Sequence, residues 1–295
     1  MKEALSKALS SSWMIVKLVV PFAIGVDILN YLGIIDHVSF LFEPISDLLN
    51  LQAGVALVFA AGFFFNLYAG IAVAASLGLT GFEWTVVGTF LAICHSIPLE
   101  VAVLKKVGFP IITHAVSRLA AALGCAALVS VIAPAELHTI TNSLAVTNVD
   151  SDFLSMIILS IKNSFILTFK IILLVTVLII VFELLRKWKP IASFLDKHTY
   201  MSSLLVGGLL GVTYGAGILL KDMSKVDKKH KIYLLTFLML AHGLIEETLL
   251  FGLFNANLLI ILGLRVGVAV IVVLFLYLIS SFRLFQNIKF LRITN

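Results

Sequence analysis

An all-α integral membrane protein made of two related halves is the fold class this sequence predicts, and three observations predict it. The chain is 61% hydrophobic with a mean hydropathy of +1.12, well above the roughly 45–50% apolar content of a soluble domain. Its apolar runs cover roughly 13–35, 52–78, 84–104, 110–133, 154–185, 201–220, 232–254 and 258–282, and about 20 such residues suffice to cross a bilayer. His95, Glu100 and Arg118 recur 147 residues later as His242, Glu247 and Arg265. Ionisable groups inside the membrane are costly unless paired or wetted, so they are functional candidates by default. Two sets in one register point to a duplicated unit.

The chain opens on a polar stretch, Met1–Ser12, and its first apolar run, Trp13 to Ile35, is long enough to span. No cleavable signal is therefore expected. No polar stretch is long enough for a soluble domain. Cys94 and Cys125 both lie in apolar runs, so no disulfide framework is expected. The net charge of +5 comes from basic residues scattered in short loops, which report membrane orientation rather than nucleic-acid binding.

Eight spanning helices are the simplest count, and the charges argue against it. Suppose instead that 52–78 and 201–220 are re-entrant hairpins that enter and leave on one face. All 16 loop and terminal Lys and Arg then lie inside, while the outer segments carry only acids: Asp36, Glu43, Asp47, Glu83, Glu136, Asp150 and Asp152. The positive-inside rule favours this arrangement, with both termini cytoplasmic. Composition agrees: residues 60–70 read AAGFFFNLYAG and 207–217 read GGLLGVTYGAG. Small residues permit a tight turn and close helix approach, and Asn66, Tyr68, Thr213 and Tyr214 can serve exposed backbone. Two glycine-rich spanning helices are the alternative.

Each half then holds a long helix, an interfacial segment (36–50 and 186–199), a hairpin and a helix pair. The first repeat is 1–133, an outer linker is 134–153, and the second repeat is 154–295. Three crossings per half are an odd number, so the second copy is inverted relative to the first, giving about six spanning helices plus two re-entrant hairpins. The basic run KDMSKVDKKHK at 221–231 reads as an inner loop drawn to anionic lipid headgroups.

Spacing sets the depth of the polar residues. The first helix pair turns near Phe109, between Gly108 and Pro110, with Glu100 nine residues before and Arg118 nine after. At about 1.5 Å per residue both lie about 13 Å from the turn, near the middle of a roughly 30 Å core. They are expected to pair, as are Glu247 and Arg265 about the turn near Ala256, in a structural or a gating role. His95 and His242 lie about 21 Å from their turns. Ligand, proton relay and structural hydrogen bond are all open to them. Pro98 is expected to kink the first helix, and Ile245 stands at its counterpart. Glu246 shares a face with His242, but its counterpart in the repeat is Leu99, so it is not part of the repeated set. Lys17 and Lys170 either snorkel or add cationic character to a central cavity. Asp27 and Glu183 are expected near helix ends, in water.

Catalysis is not expected. Glu246-Glu247 faintly resembles the paired glutamates of intramembrane CAAX-processing proteases, but Phe251 stands where that motif has Arg and no His follows His242. Neither HExxH, GxSxG nor a P-loop is present, and no cofactor is expected. CHSIPLEVAVLKKVG (94–108) and AHGLIEETLLFGLFN (241–255), each after a Gly/Tyr-containing hairpin, resemble the paired motifs of nucleoside-recognition (Gate) domain membrane proteins over nearly the whole chain. The resemblance implies that the tips at Asn66–Tyr68 and Thr213–Gly215 face a central site with His95, Glu100, His242 and Glu247. Related units form the core of concentrative nucleoside transporters and the membrane part of ferrous-iron permeases, and occur in sporulation membrane proteins. From this sequence neither the GTPase domain of the permeases nor the scaffold helices of the nucleoside transporters are expected. Cys94 also has only Ala241 as its partner.

The resulting expectation is a multi-pass protein of the inner (plasma) membrane that moves a small polar or anionic solute, nucleoside-like or an organic acid, by alternating access. A divalent-metal permease using the histidines and glutamates is one alternative. A non-transporting assembly or sporulation factor is the other. The expected partners are the solute or ion and the lipid bilayer, with no nucleic acid, and the reading leaves room for a homo-oligomer.

Overall fold

The computed structural model describes residues 2–39, 47–52, 54–106, 111–139, 152–190, 193, 208 and 228–281. Within them the chain is helical, with no strand. Six helical stretches are long and apolar enough to cross a membrane: Leu5–Tyr31, Gly81–Ala102, His114–Ile132, Phe153–Leu185, Ile232–Gly252 and Leu258–Leu278. The chain is thus an all-α, multi-pass membrane protein. The second hairpin, at 201–220 with Thr213 and Tyr214, lies outside the described residues except for Gly208. Most of the expected linker, 134–153, does too.

Helix α1 (Lys2–Tyr31) is the first long helix, and α2 (Ile34–Ser39) is a short segment after it. The two ten-residue helices α3 (Val55–Phe64) and α4 (Leu67–Ser76) follow. In a straight helix, residues eight apart are separated by about 12 Å. A Cβ built on Gly70 would instead lie 3.3 Å from the Gly62 Cα, so the chain folds back between α3 and α4. The reversal occurs where Asn66 is fully extended, with its side chain accepting from the Ala69 N–H at 3.0 Å to cap α4. Glycine is needed at both positions because the backbones touch and Leu91 fills the notch, 2.9 Å from the same hypothetical Cβ. Both ends of the hairpin lie together: Gln52 Nε2 donates to Glu83 Oε1 at 3.2 Å, just after the chain has left α4.

Next come α5 (Gly81–Ile93), α6 (Ile97–Lys106) and α7 (Ile111–Ile132). Thr80 and Glu83 start α5 with a capping box, each side chain bonding the other's backbone N–H, which satisfies two otherwise orphaned donors. A 3₁₀ turn (Ala135–His138) follows. The second half holds α8 (Phe153–Lys187), α9 (Lys228–Ala241), α10 (Glu246–Gly252) and α11 (Leu258–Ser281). Packing repeats between the halves: α5 lies on α7, as α9 lies on α11, and α1 runs along α8.

Burial separates an inner from an outer layer. Buried residues make up 78% of the apolar part of Gly81–Ala102 and 61% of that of Ile232–Gly252, but at most 28% of that of the other four spans. The outer helices turn large apolar side chains outward, among them Phe165, Phe169 and Leu173 on α8 and Leu259, Ile271 and Phe275 on α11. A face of that kind suits lipid and not water. The inner stretches are apolar nearly all round, the pattern of helices surrounded by protein.

Two sequence expectations change here. Asp27 does not lie in water; it is buried at 6% exposure between α1 and α8 and accepts a 2.6 Å hydrogen bond from Ser160 Oγ. Burying a carboxylate is tolerable when a neighbouring helix brings a donor, and spacing alone does not say which face of α1 meets α8. Lys17 and Lys170 lend no charge to the interior. Both are exposed, and Lys17 Nζ lies 4.9 Å from the Trp13 ring, as expected of side chains that lie along an apolar surface and reach for its edge. Glu183 pairs with Lys187 at 3.4 Å near the end of α8.

Candidate functional site

The two inner helical stretches are each broken at their histidine. Helix α5 ends at Ile93, Cys94 leaves helical geometry (φ −136°, ψ 76°), and Ser96 takes a left-handed φ of 53° before α6 begins. Helix α9 ends at Ala241, and Gly243 takes φ 62° before α10. Ser96 and Gly243 are themselves 147 residues apart. Their carbonyls accept from the Glu100 and Glu247 N–H groups, both at 3.0 Å. Each glutamate therefore sits in the first turn of a helix, where the dipole favours an anion. Pro98 occupies the second position of α6, where a missing N–H costs nothing. It starts a new helix rather than kinking a continuous one.

A backbone carbonyl from elsewhere in the chain fastens each break. The Ser96 N–H donates to the Gly62 carbonyl, and the Leu244 N–H to the Gly208 carbonyl, both at 2.9 Å. Helix ends leave carbonyls without intrahelical partners, and the arginines take them up. Arg118 Nε donates to the Ile93 carbonyl at 2.7 Å, and Arg265 Nε to the Leu240 carbonyl at 3.3 Å. Arg265 Nη2 also donates to the His242 carbonyl. Arg118 Nη1 then pairs with Glu100 Oε2, and Arg265 Nη2 with Glu247 Oε2 at 2.6 Å. Both guanidinium groups are fully buried. The equal depths read from the spacing correspond to these pairs.

The remaining carboxylate oxygens cross between the halves. His242 Nε2 lies 3.2 Å from Glu100 Oε1, and His242 Nδ1 lies 3.2 Å from Glu247 Oε1. His95 Nε2 faces Glu247 Oε1 at 3.7 Å, while its Nδ1 lies 2.6 Å from the Leu91 carbonyl. The two imidazoles stand edge to face, centroids 5.2 Å apart. His95, Glu100 and His242 each offer a metal-ligating atom within 4.8 Å of the others. Arg118 Nη2 and Arg265 Nη1 are buried without a partner among the described residues. An orphaned buried donor of this kind marks a place for water or a polar solute atom.

Tyr68 reaches the same region from the hairpin, its hydroxyl donating to Glu246 Oε1 at 3.0 Å. Asn66 does not face the centre with its oxygen, which is used to cap α4. Two residues near the site stand outside the repeated set. Glu246 has no acidic counterpart in the first half, and its place at i+4 from His242 is the signal for it. His114 is buried on α7 one turn before Arg118, and its spacing from Arg118 was the clue.

A second seam closes one end of the interface between halves. Trp84 stacks on Phe254 with centroids 4.0 Å apart, Thr85 Oγ1 accepts from the Asn257 N–H at 2.9 Å, and Gly88 faces Phe251 and Ile261. The turn between α10 and α11 thus lies beside the start of α5, at the opposite end of the inner stretch from Lys105 and Lys106.

No family model matches the chain, and no solved structure matches it. Over 262 residues, 84% of each chain, it is 26% identical to the uncharacterized membrane protein YvoD of Bacillus subtilis (strain 168).

Proposed function

We propose that this protein is an inverted-repeat secondary transporter of the Gate type, which moves a small polar solute across the membrane by alternating access. The observation that carries the reading is the crossing at the two breaks, where each half's histidine faces the other half's glutamate. Rocking one half against the other exchanges these contacts while leaving each Glu–Arg pair within its own half. Discontinuous helices that meet at mid-membrane are the usual place for a solute site in such transporters.

Inversion is supported by the position of the second turn, at the far end of α5 from Lys105. Re-entry of the first hairpin is supported by its two ends lying together and by its ten-residue arms, about 15 Å each and so half a bilayer core. The anionic case in the sequence reading loses support. Arg118 and Arg265 are each held by a glutamate, and Lys17 and Lys170 lie on the outer surface.

Labelling in a background with Cys94 and Cys125 replaced tests both parts. Cysteines at Lys105 and Lys187 react with an impermeant thiol reagent only from the inside, and one at Glu136 only from the outside. External labelling at 105 refutes the hairpin topology. His95→Cys reacts from each face in turn, in right-side-out and inverted vesicles. Reaction from neither face, or from one face alone, defeats alternating access at this site.

A further inference from the structure

Hydrogen counting at the centre shows a shortage of positive charge. His95 Nδ1 lies 2.6 Å from the Leu91 carbonyl, which can only accept, so Nδ1 carries the ring's proton. Its Nε2 then turns a lone pair toward Glu247 Oε1, itself an acceptor. Both nitrogens of His242 also face carboxylate oxygens at 3.2 Å, whereas a neutral imidazole has a single N–H. Three nitrogen–oxygen contacts therefore share one proton. The arginines do not supply the deficit, because each is bound to the Oε2 of its own glutamate. Acceptors turned toward one another in a buried space call for a cation between them.

We propose that His95, His242 and Glu100 bind one divalent transition-metal cation, with Glu247 Oε1 accepting from His242 Nδ1 behind it, and that this ion is the solute carried. The cargo role rests on the transport reading; the binding does not. Mixed imidazole and carboxylate donors suit zinc, manganese or ferrous iron better than calcium or magnesium, which prefer oxygen alone. Two ligands about 2.1 Å from a tetrahedral ion lie about 3.4 Å apart, and His242 Nε2 and Glu100 Oε1 are separated by 3.2 Å. The second shell is in place as well. The Leu91 carbonyl fixes the His95 tautomer with Nε2 as ligand, and Arg118 and Arg265 orient the carboxylates. The same arginines repel a divalent ion, which keeps affinity modest and suits a site that must release what it binds.

The test uses the full-length protein in detergent micelles and Co2+ alone as probe. The expected result is saturable binding of one Co2+ per chain with ligand-field absorption in the visible, competed by Zn2+. His95→Gln and His242→Gln each lower affinity by about tenfold or more. Should those variants fail to fold, X-ray absorption on wild type decides: two imidazole nitrogens on Co2+ support the site, and none or one overturns it. Absence of saturable binding at millimolar Co2+, or binding unchanged in the double variant, also overturns it and leaves protons as the cation at the centre. Labelling of His95→Cys from both faces then still supports transport. In proteoliposomes Co2+ uptake is expected to follow the binding variants; binding without uptake removes the cargo role.

Discussion

Glu247→Gln lowers the stability of the purified protein by about 3–5 kcal/mol, and Arg265→Leu does so to a similar extent. Either change strands a charge in a place water does not reach. With the glutamate gone, Arg265 is fully buried, and one of its nitrogens already has no partner among the described residues. With the arginine gone, Glu247 keeps its anionic place at the start of α10 but only imidazoles to face. The double variant Glu247→Gln/Arg265→Leu loses less than either single one, because the penalty comes from the uncompensated charge and not from a lost attraction. Added salt changes none of this appreciably, since buried pairs are screened little. Thermal unfolding of the four forms gives the cycle. A wild-type midpoint for Glu247→Gln alone means that the pair does not hold this break together. Glu100 and Arg118 behave likewise, since Glu100 also faces an imidazole, that of His242.

Which parts of this centre the sequence reveals follows from geometry. Glu100 and Arg118 are rare polar residues in an apolar background, and equal distances from one turn give equal depths, so their pairing is readable within one helix pair. The contacts between halves are not. Spacing gives height along a helix, whereas the meeting of His242 with Glu100 depends on how two helices 142 residues apart in sequence are rotated toward each other. The breaks were also hidden. Pro98 suggested a kink in the first copy, but the second copy has Ile245 there and breaks nonetheless. What the copies share is a left-handed residue after each histidine, Ser96 and Gly243, and a serine gives no warning of that conformation. The first hairpin was legible because Gly62, Asn66 and Gly70 carry its turn chemistry. Asp27 was misplaced because the partner that makes its burial tolerable, Ser160, lies on a distant helix.

Gly243→Ala is expected to be strongly damaging for the addition of a single carbon. Gly243 has φ +62°, and a Cβ there would fall 2.7 Å from the Glu247 carboxyl carbon. The left-handed conformation costs an L-residue about 1–2 kcal/mol, and crowding a packed site adds about 1–3 kcal/mol. The sum is about 2–5 kcal/mol. The clash also falls on the carboxylate that joins Arg265 to both histidines, so His95→Cys labelling and Co2+ binding are expected to change together with the unfolding midpoint. Ser96 is the internal control. It holds the equivalent place with φ 53° and already carries a Cβ, so Ser96→Ala leaves stability within about 0.5 kcal/mol of wild type. The two halves therefore respond unequally to the same residue at the same register position. If Gly243→Ala unfolds at the wild-type temperature, the Glu247 carboxylate is not seated against this break, and the crossing of the two halves at their histidines loses its anchor.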